Sequence, residues 1–341
     1  MVSHIDRRHE TGVAIKGYWD LWQEADDFRR NLAEMIGARP REIFYGKDSS
    51  DMMNVFAGGI TLPKRGHVLI PDISFPSTRN TWLNLETEGF KVRYLKSNQG
   101  VVTTDEIISA LGEDTFAVAI CSVEPSSGYH YDLARLGKVC REKGIYFIVD
   151  ATQSLGAMDL DVRRMPMDVM VASTYKWLCN VFGFGVGYIR EDLIETLEPR
   201  HVGWTGVSDR KRDFNDLGLK LHSGAQRFET GGLNWVGLRG LEASVATYTG
   251  LGKAAVEAHI KHLVSHLYDL METVPGVAIE PSLPPASRSS IVYLKVREGF
   301  DWNPAFFESR RIRVNLSGRQ MRIGIHFYNN EADIDALIDS L

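Results

Sequence analysis

Cysteine is scarce in this chain. Positions 121, 140 and 179 hold three such residues among 341, too few and too scattered for a disulfide framework, and no Cys-x-x-Cys pair offers a zinc site. Cys121 and Cys140 read as buried thiols. The ten histidines never fall into a His-Glu-x-x-His spacing, so no metal site is expected. No apolar run reaches the about 18 residues that cross a bilayer, and the opening stretch MVSHIDRRHETG has no apolar signal core. The expectation is a cytoplasmic protein without a membrane partner. Basic charge is also short: 39 Lys and Arg face 44 Asp and Glu, a net charge of -5, and no basic stripe exists to neutralise a nucleic-acid backbone. Neither a Gly-x-Gly-x-x-Gly fingerprint nor a Gly-x-x-x-x-Gly-Lys-Ser/Thr loop occurs, which removes the two commonest nucleotide-binding signatures. Internal repeats and low-complexity segments are absent.

What is present is an ordinary globular composition, 44% hydrophobic and 24% charged, long enough for a large unit and a smaller second one. Leu21, Trp22, Ala25, Phe28, Leu32 and Met35 recur at helical spacing, which predicts an amphipathic helix from Asp20 to Ile36 within an N-terminal helical segment 13–36. The texture then alternates. Short, nearly continuous apolar runs at 67–70, 116–122, 145–149 and 169–172 predict strands covered on both faces, and intervening segments such as Asp132 to Lys143, stopped by Gly144, predict helices. Strand and helix in alternation imply an α/β fold with a mostly parallel sheet flanked by helices, whose ligands collect at the carboxyl ends of the strands. Beyond residue 250 a long helix (253–274), a Pro-rich break at Pro281, Pro284 and Pro285, and a strand at 291–296 predict a smaller C-terminal α+β domain. The expected division is 1–250 and 251–341.

Two ionisable residues mark strand ends in this scheme. Asp150 closes the apolar run from Ile145, and Lys176 follows the run from Val169. Desolvating either is costly, so they form a structural ion pair or a ligand uses both. A pyridinium ring would explain the pair, with the carboxylate keeping the ring nitrogen protonated and the lysine amine condensing with an aldehyde. Ser49, Ser50 and Asp51 open a predicted helix. They read either as an ordinary N-cap or as a phosphate site at a helix N-terminus.

Several stretches carry a resemblance. Val149-Asp-Ala-Thr-Gln-Ser-Leu-Gly156, Ser173-Thr-Tyr-Lys-Trp-Leu178, Gly46 to Asn54, Ile73-Ser-Phe-Pro-Ser77, Arg227-Phe-Glu-Thr-Gly-Gly-Leu-Asn234 and Gly318 to Asn329 occur in the order seen in the class V aminotransferases. These are fold-type I pyridoxal 5'-phosphate (PLP) enzymes that include cysteine desulfurases, kynureninases and isopenicillin N epimerase-like proteins, and the resemblance spans nearly the whole chain. It implies PLP on Lys176, Asp150 at the ring nitrogen, Gln153 at the ring oxygen, and Ser49, Ser50, Asp51, Ser173 and Tyr175 around the phosphate. It also implies Phe75 over the ring, Arg322 on the substrate carboxylate, and a homodimer in which the segment holding Gly232 reaches the partner's phosphate. Trp204 is a candidate for the substrate pocket or for the core.

Departures matter as well. Tyr175 replaces a His, Gly232 replaces a Thr, Gln153 stands where kynureninases have His, and the chain opens inside a helix that an extra segment usually precedes. No Cys lies between Gly299 and Arg322, where a desulfurase carries its nucleophile. The resulting expectation is a PLP-dependent aminotransferase, with a carbon-sulfur lyase, a desulfurase-like enzyme or an epimerase as alternatives, and a non-catalytic dimeric homologue as the rival from another class.

Overall fold

The computed structural model describes residues 18–61, 66–210, 215, 217–296 and 302–341. Seven strands form the larger sheet: β1 (Ile43–Gly46), β2 (His67–Pro71), β3 (Lys91–Leu95), β4 (Thr115–Cys121), β5 (Tyr146–Asp150), β6 (Val169–Ser173) and β7 (Gly185–Ile189), in the order β1-β7-β6-β5-β4-β2-β3. Pairings from β3 through β6 are parallel, whereas β7 runs antiparallel to both β6 and β1. The sheet is therefore mostly parallel, as the alternating texture implies.

Alternation along each strand explains why both faces are covered. Val118 and Ile120 enter one buried apolar cluster while Ala117 and Ala119 enter another on the opposite side, and Phe147 and Ile148 divide in the same way. Such strands read as continuous apolar runs because neither face meets water. The observed limits differ from the sequence reading by only a residue or so. Asp132 caps the Leu133–Lys143 helix through the Arg135 N–H, and Gly144 ends it in the left-handed conformation, with φ 66°, that glycine adopts without strain.

The first described helix, Tyr18–Ile36, buries Trp22, Ala25, Phe28, Leu32 and Met35, the stripe that the spacing predicts. Positions 13–17 of the expected segment lie outside the described residues. Beyond the Trp235–Leu251 and Lys253–Met271 helices, a second sheet of β8 (Val277–Ile279), β9 (Ile291–Val296), β10 (Asn315–Ser317) and β11 (Gln320–Gly324) forms in the order β10-β11-β9-β8, antiparallel throughout. The loop after β4 joins the two sheets. Tyr293 Oη donates to the Pro125 carbonyl at 2.6 Å, Ser289 Oγ to the Gly128 carbonyl at 2.7 Å, and the His130 N–H to the Ser287 carbonyl at 2.9 Å.

Candidate active site

Parallel strands finish on a common edge, and here that edge gathers the ionisable candidates. Cys121 and Asp150 are register partners at the ends of β4 and β5, and Ser173 ends β6. The turn after β6 then delivers Lys176. Asp150 is buried and accepts the Thr152 N–H at 2.9 Å. Burial raises its pKa, opposed by hydrogen bonds from Thr152 and Ser49 and by the Lys176 charge. Burial likewise lowers the affinity of the Lys176 amine for a proton, and the Arg322 cation adds to this while Asp150 opposes it. A lysine held in this way gives up its proton more readily than a free amine, which favours its use as a nucleophile.

Lys176 lines a cavity of about 480 Å³ with Phe75, Arg79, Gln153, Tyr293 and Arg322. Its Nζ stands 5.7 Å from the Phe75 ring centroid and 5.9 Å from that of Tyr175. Phe75 is the N-cap of the Pro76–Leu85 helix, so the same turn that starts the helix presents the ring. Gln153 accepts the Trp177 indole N–H at 3.2 Å through its Oε1, which orients the amide and leaves its NH₂ to donate. Arg322 enters from β11 of the small sheet, and its buried Nε has no partner among the described residues.

A second group of hydroxyls gathers at the Ser49–Gly59 helix start. The cap itself is Asp48, which accepts the Asp51 N–H at 2.9 Å, so Ser49 and Ser50 are not spent on capping. The Ser49 N–H donates to Ser173 Oγ at 2.9 Å, the two hydroxyl oxygens are 3.3 Å apart, and Ser50 Oγ meets Ser77 Oγ at 2.6 Å. Thr152 ties this group to the carboxylate, because its Oγ1 accepts the Ser173 N–H at 3.0 Å.

Three residues singled out from sequence lie elsewhere. The Asp51 carboxylate accepts the Lys47 N–H at 3.2 Å and lines a separate cavity of about 850 Å³ that also holds Gly232. Trp204 packs edge-on against Trp22, with centroids 5.3 Å apart, and is not among the residues lining the Lys176 cavity. Four groups went unread in the sequence: Thr152, Glu124, Arg79 and His326. Glu124 is fully buried, accepts Ser74 Oγ at 2.7 Å and Tyr131 Oη at 3.2 Å through Oε1, and leaves Oε2 without a partner. Burial pushes its carboxyl up to about 8. His326 stacks between Trp177 (5.0 Å) and Tyr328 (4.2 Å), with burial lowering its pKa to about 4, and its Nε2 lies 3.6 Å from Cys179 Sγ. An acidic residue ending an apolar strand was a usable signal for Glu124. Nothing local marks the others.

The donor set fits PLP. A buried carboxylate without an ion-pair partner suits a protonated ring nitrogen, an amine of lowered pKa suits an aldehyde, and hydroxyls beside a helix N-terminus suit a phosphate.

Comparison with known proteins agrees. A family model described as aminotransferase class-V matches residues 16–337. A probable cysteine desulfurase of Methanothermobacter thermautotrophicus is 27% identical over 94% of this chain and 83% of its own length. The uncharacterized aminotransferase YcbU of Bacillus subtilis is 24% identical over 96% and 89%. Among solved structures, the apo cysteine desulfurase of Thermococcus onnurineus NA1 superposes with a TM-score of 0.84 at 24% identity, covering 96% of this chain and 85% of that one. The cystine C-S lyase C-DES does so with a TM-score of 0.87 at 20% identity, covering 99% and 91%. The chain therefore belongs to the class V aminotransferase family and is a PLP-dependent enzyme of fold-type I.

Proposed function

We propose that this enzyme cleaves a carbon-sulfur bond in an amino acid, and that the sulfur leaves into solution without passing to an enzyme cysteine. The observation that carries this reading is the cavity wall: Lys176 and Arg322 face one space, and none of the three cysteines lines it. Relatives described as a probable cysteine desulfurase and a cystine C-S lyase support carbon-sulfur chemistry over the transamination expected from sequence. Transamination stays as the second reading, supported by the description of the Bacillus relative.

When bound, PLP supplies an electron sink for charge left at the substrate α-carbon. Asp150 would hold a proton on the ring nitrogen, and Gln153 would donate to the ring oxygen. Ser49, Ser50 and Ser173 would bind the phosphate, and Phe75 would cover one ring face. Arg322 would grip the α-carboxylate with its planar fork. The Lys176 amine would take the α-proton, its proton affinity lowered by burial, with the nearby Arg322 cation adding to the effect. A homodimer is part of the proposal: a partner subunit would sit over the cavity that contains Gly232, and sedimentation velocity tests it.

Two experiments separate the readings. Borohydride reduction of the PLP-loaded protein should fix cofactor mass on the Lys176 peptide in the wild type and none in Lys176→Ala. Equal labelling of the two would overturn the cofactor assignment, and labelling of neither would favour the non-catalytic homologue. Incubation with L-cysteine should release pyruvate, ammonium and sulfide, and incubation with L-cystine pyruvate, ammonium and cysteine persulfide. Alanine with a protein-bound persulfide would point to a desulfurase, and keto acid formed only with an amino acceptor would point to transamination.

A further inference from the structure

The cavity that holds Lys176 has a charge pattern that one substrate carboxylate does not satisfy. No acidic side chain lines it, yet two guanidinium groups do, Arg322 from the small sheet and Arg79 from the large-sheet side. The Nε of each is buried and has no hydrogen-bond partner among the described residues. The Arg79 side chain donates through Nη1 to the Asp72 carbonyl at 3.3 Å. Among the half-buried arginines, Arg190, Arg210 and Arg239 each meet a carboxylate within 3 Å, whereas Arg227 and Arg288, like Arg79, donate to backbone carbonyls. Two half-buried cations facing one space whose wall carries no acidic side chain favour an anionic occupant at each.

Arg79 is placed to reach the reacting end of the cavity. Its N–H donates to the Phe75 carbonyl at 3.3 Å, so the two residues stand one turn apart on the same face of the Pro76–Leu85 helix, and the Phe75 ring is the one beside Lys176 Nζ. The nearby carboxyl of Glu124 feels the Arg79 charge but does not line the cavity. Its Oε1 is occupied by Ser74 and Tyr131, and with its pKa pushed up to about 8 the group is largely uncharged at neutral pH.

We propose that Arg79 is a specificity-determining residue that binds a second carboxylate at the end of the substrate side chain, so that the enzyme takes amino acids carrying two carboxylates, one on Arg322 and the other on Arg79. This rests on the reading of the cavity as the substrate site and narrows it to a substrate class. The two arginines come from different elements, Arg79 from the Pro76–Leu85 helix and Arg322 from β11, and such a ligand would bridge them.

Calorimetric titration of the full-length, PLP-loaded protein with glutarate and with butyrate, which differ by one carboxylate, tests the proposal without turnover. The wild type should bind glutarate about tenfold or more tightly than butyrate, the gain expected of a charge-assisted bond. Arg79→Gln should bring glutarate down to the butyrate level with butyrate unchanged, Arg79→Lys should keep part of the preference, and Arg322→Gln should weaken both acids. Equal affinities in the wild type, absence of glutarate binding, or a glutarate preference that survives Arg79→Gln overturns it. Because borohydride labelling at Lys176 reports on the cofactor alone, failure of this proposal and failure of the PLP assignment are distinguishable.

Discussion

Glu124 shows how a single buried carboxyl can set the pH dependence of the whole molecule. Its ordinary pKa of 4.5 is raised to about 8 in the folded chain, chiefly by burial. Below pH 4.5 folded and unfolded forms both hold the proton. Between 4.5 and 8 only the unfolded form releases it, so stability falls as pH rises, and above 8 the loss is complete. The full swing is of the order of 5 kcal/mol. Glu124→Gln removes this dependence. Urea denaturation at pH 5 and pH 9 should show the variant gaining several kcal/mol on the wild type between the two, and an unchanged gap would sink the assignment. Asp150 and Lys176 were legible from sequence because each sits at the end of an apolar strand, where a charge stands out. Arg79 and His326 were not, since their meaning depends on which loop faces which across the cavity.

At the scale of elements, the first described helix is fastened to the sheet by a buried ion pair. Arg29 Nη1 meets Glu229 Oε1 at 2.6 Å and also donates to the Ile43 carbonyl at 3.0 Å, while Glu229 accepts the Tyr45 N–H at 2.9 Å. One pair thus joins the Tyr18–Ile36 helix, β1 and the segment following residues 225–228. Arg29→Met strands a buried carboxylate and should cost roughly 3–5 kcal/mol. The double variant Arg29→Met with Glu229→Gln should recover much of that, and chemical denaturation of the three proteins decides it. Sequence pattern located β2, β4, β5 and β6 because each is an apolar run. Gly185–Ile189, interrupted by Gly185 and Gly187, forms no such run, yet it is the antiparallel strand β7. There Gly187 permits close packing, since a Cβ at that position would lie 2.1 Å from the Phe44 ring. Strand direction is a property of the partner and leaves no local mark.

Across the molecule, the loop after β4 is the hinge line between the two sheets. Gly128 has φ 74°, and a Cβ there would fall 2.0 Å from the Ile291 carbonyl oxygen at the start of β9. Gly128→Ala forces either the loop or the small sheet to move, at a cost of about 2 kcal/mol or more. It should lower the melting temperature by several degrees and weaken butyrate binding, because Arg322 travels with the small sheet. Calorimetry on the same sample checks both, and wild-type values for the pair would show that the seam yields freely.

The ring column Trp177, His326 and Tyr328 spans this same divide, starting one residue after the lysine and placing His326 four residues beyond Arg322. Burial lowers its pKa to about 4, so the imidazole is uncharged at neutral pH. The column therefore ties the turn that carries Lys176 to the segment following β11 through stacked planes.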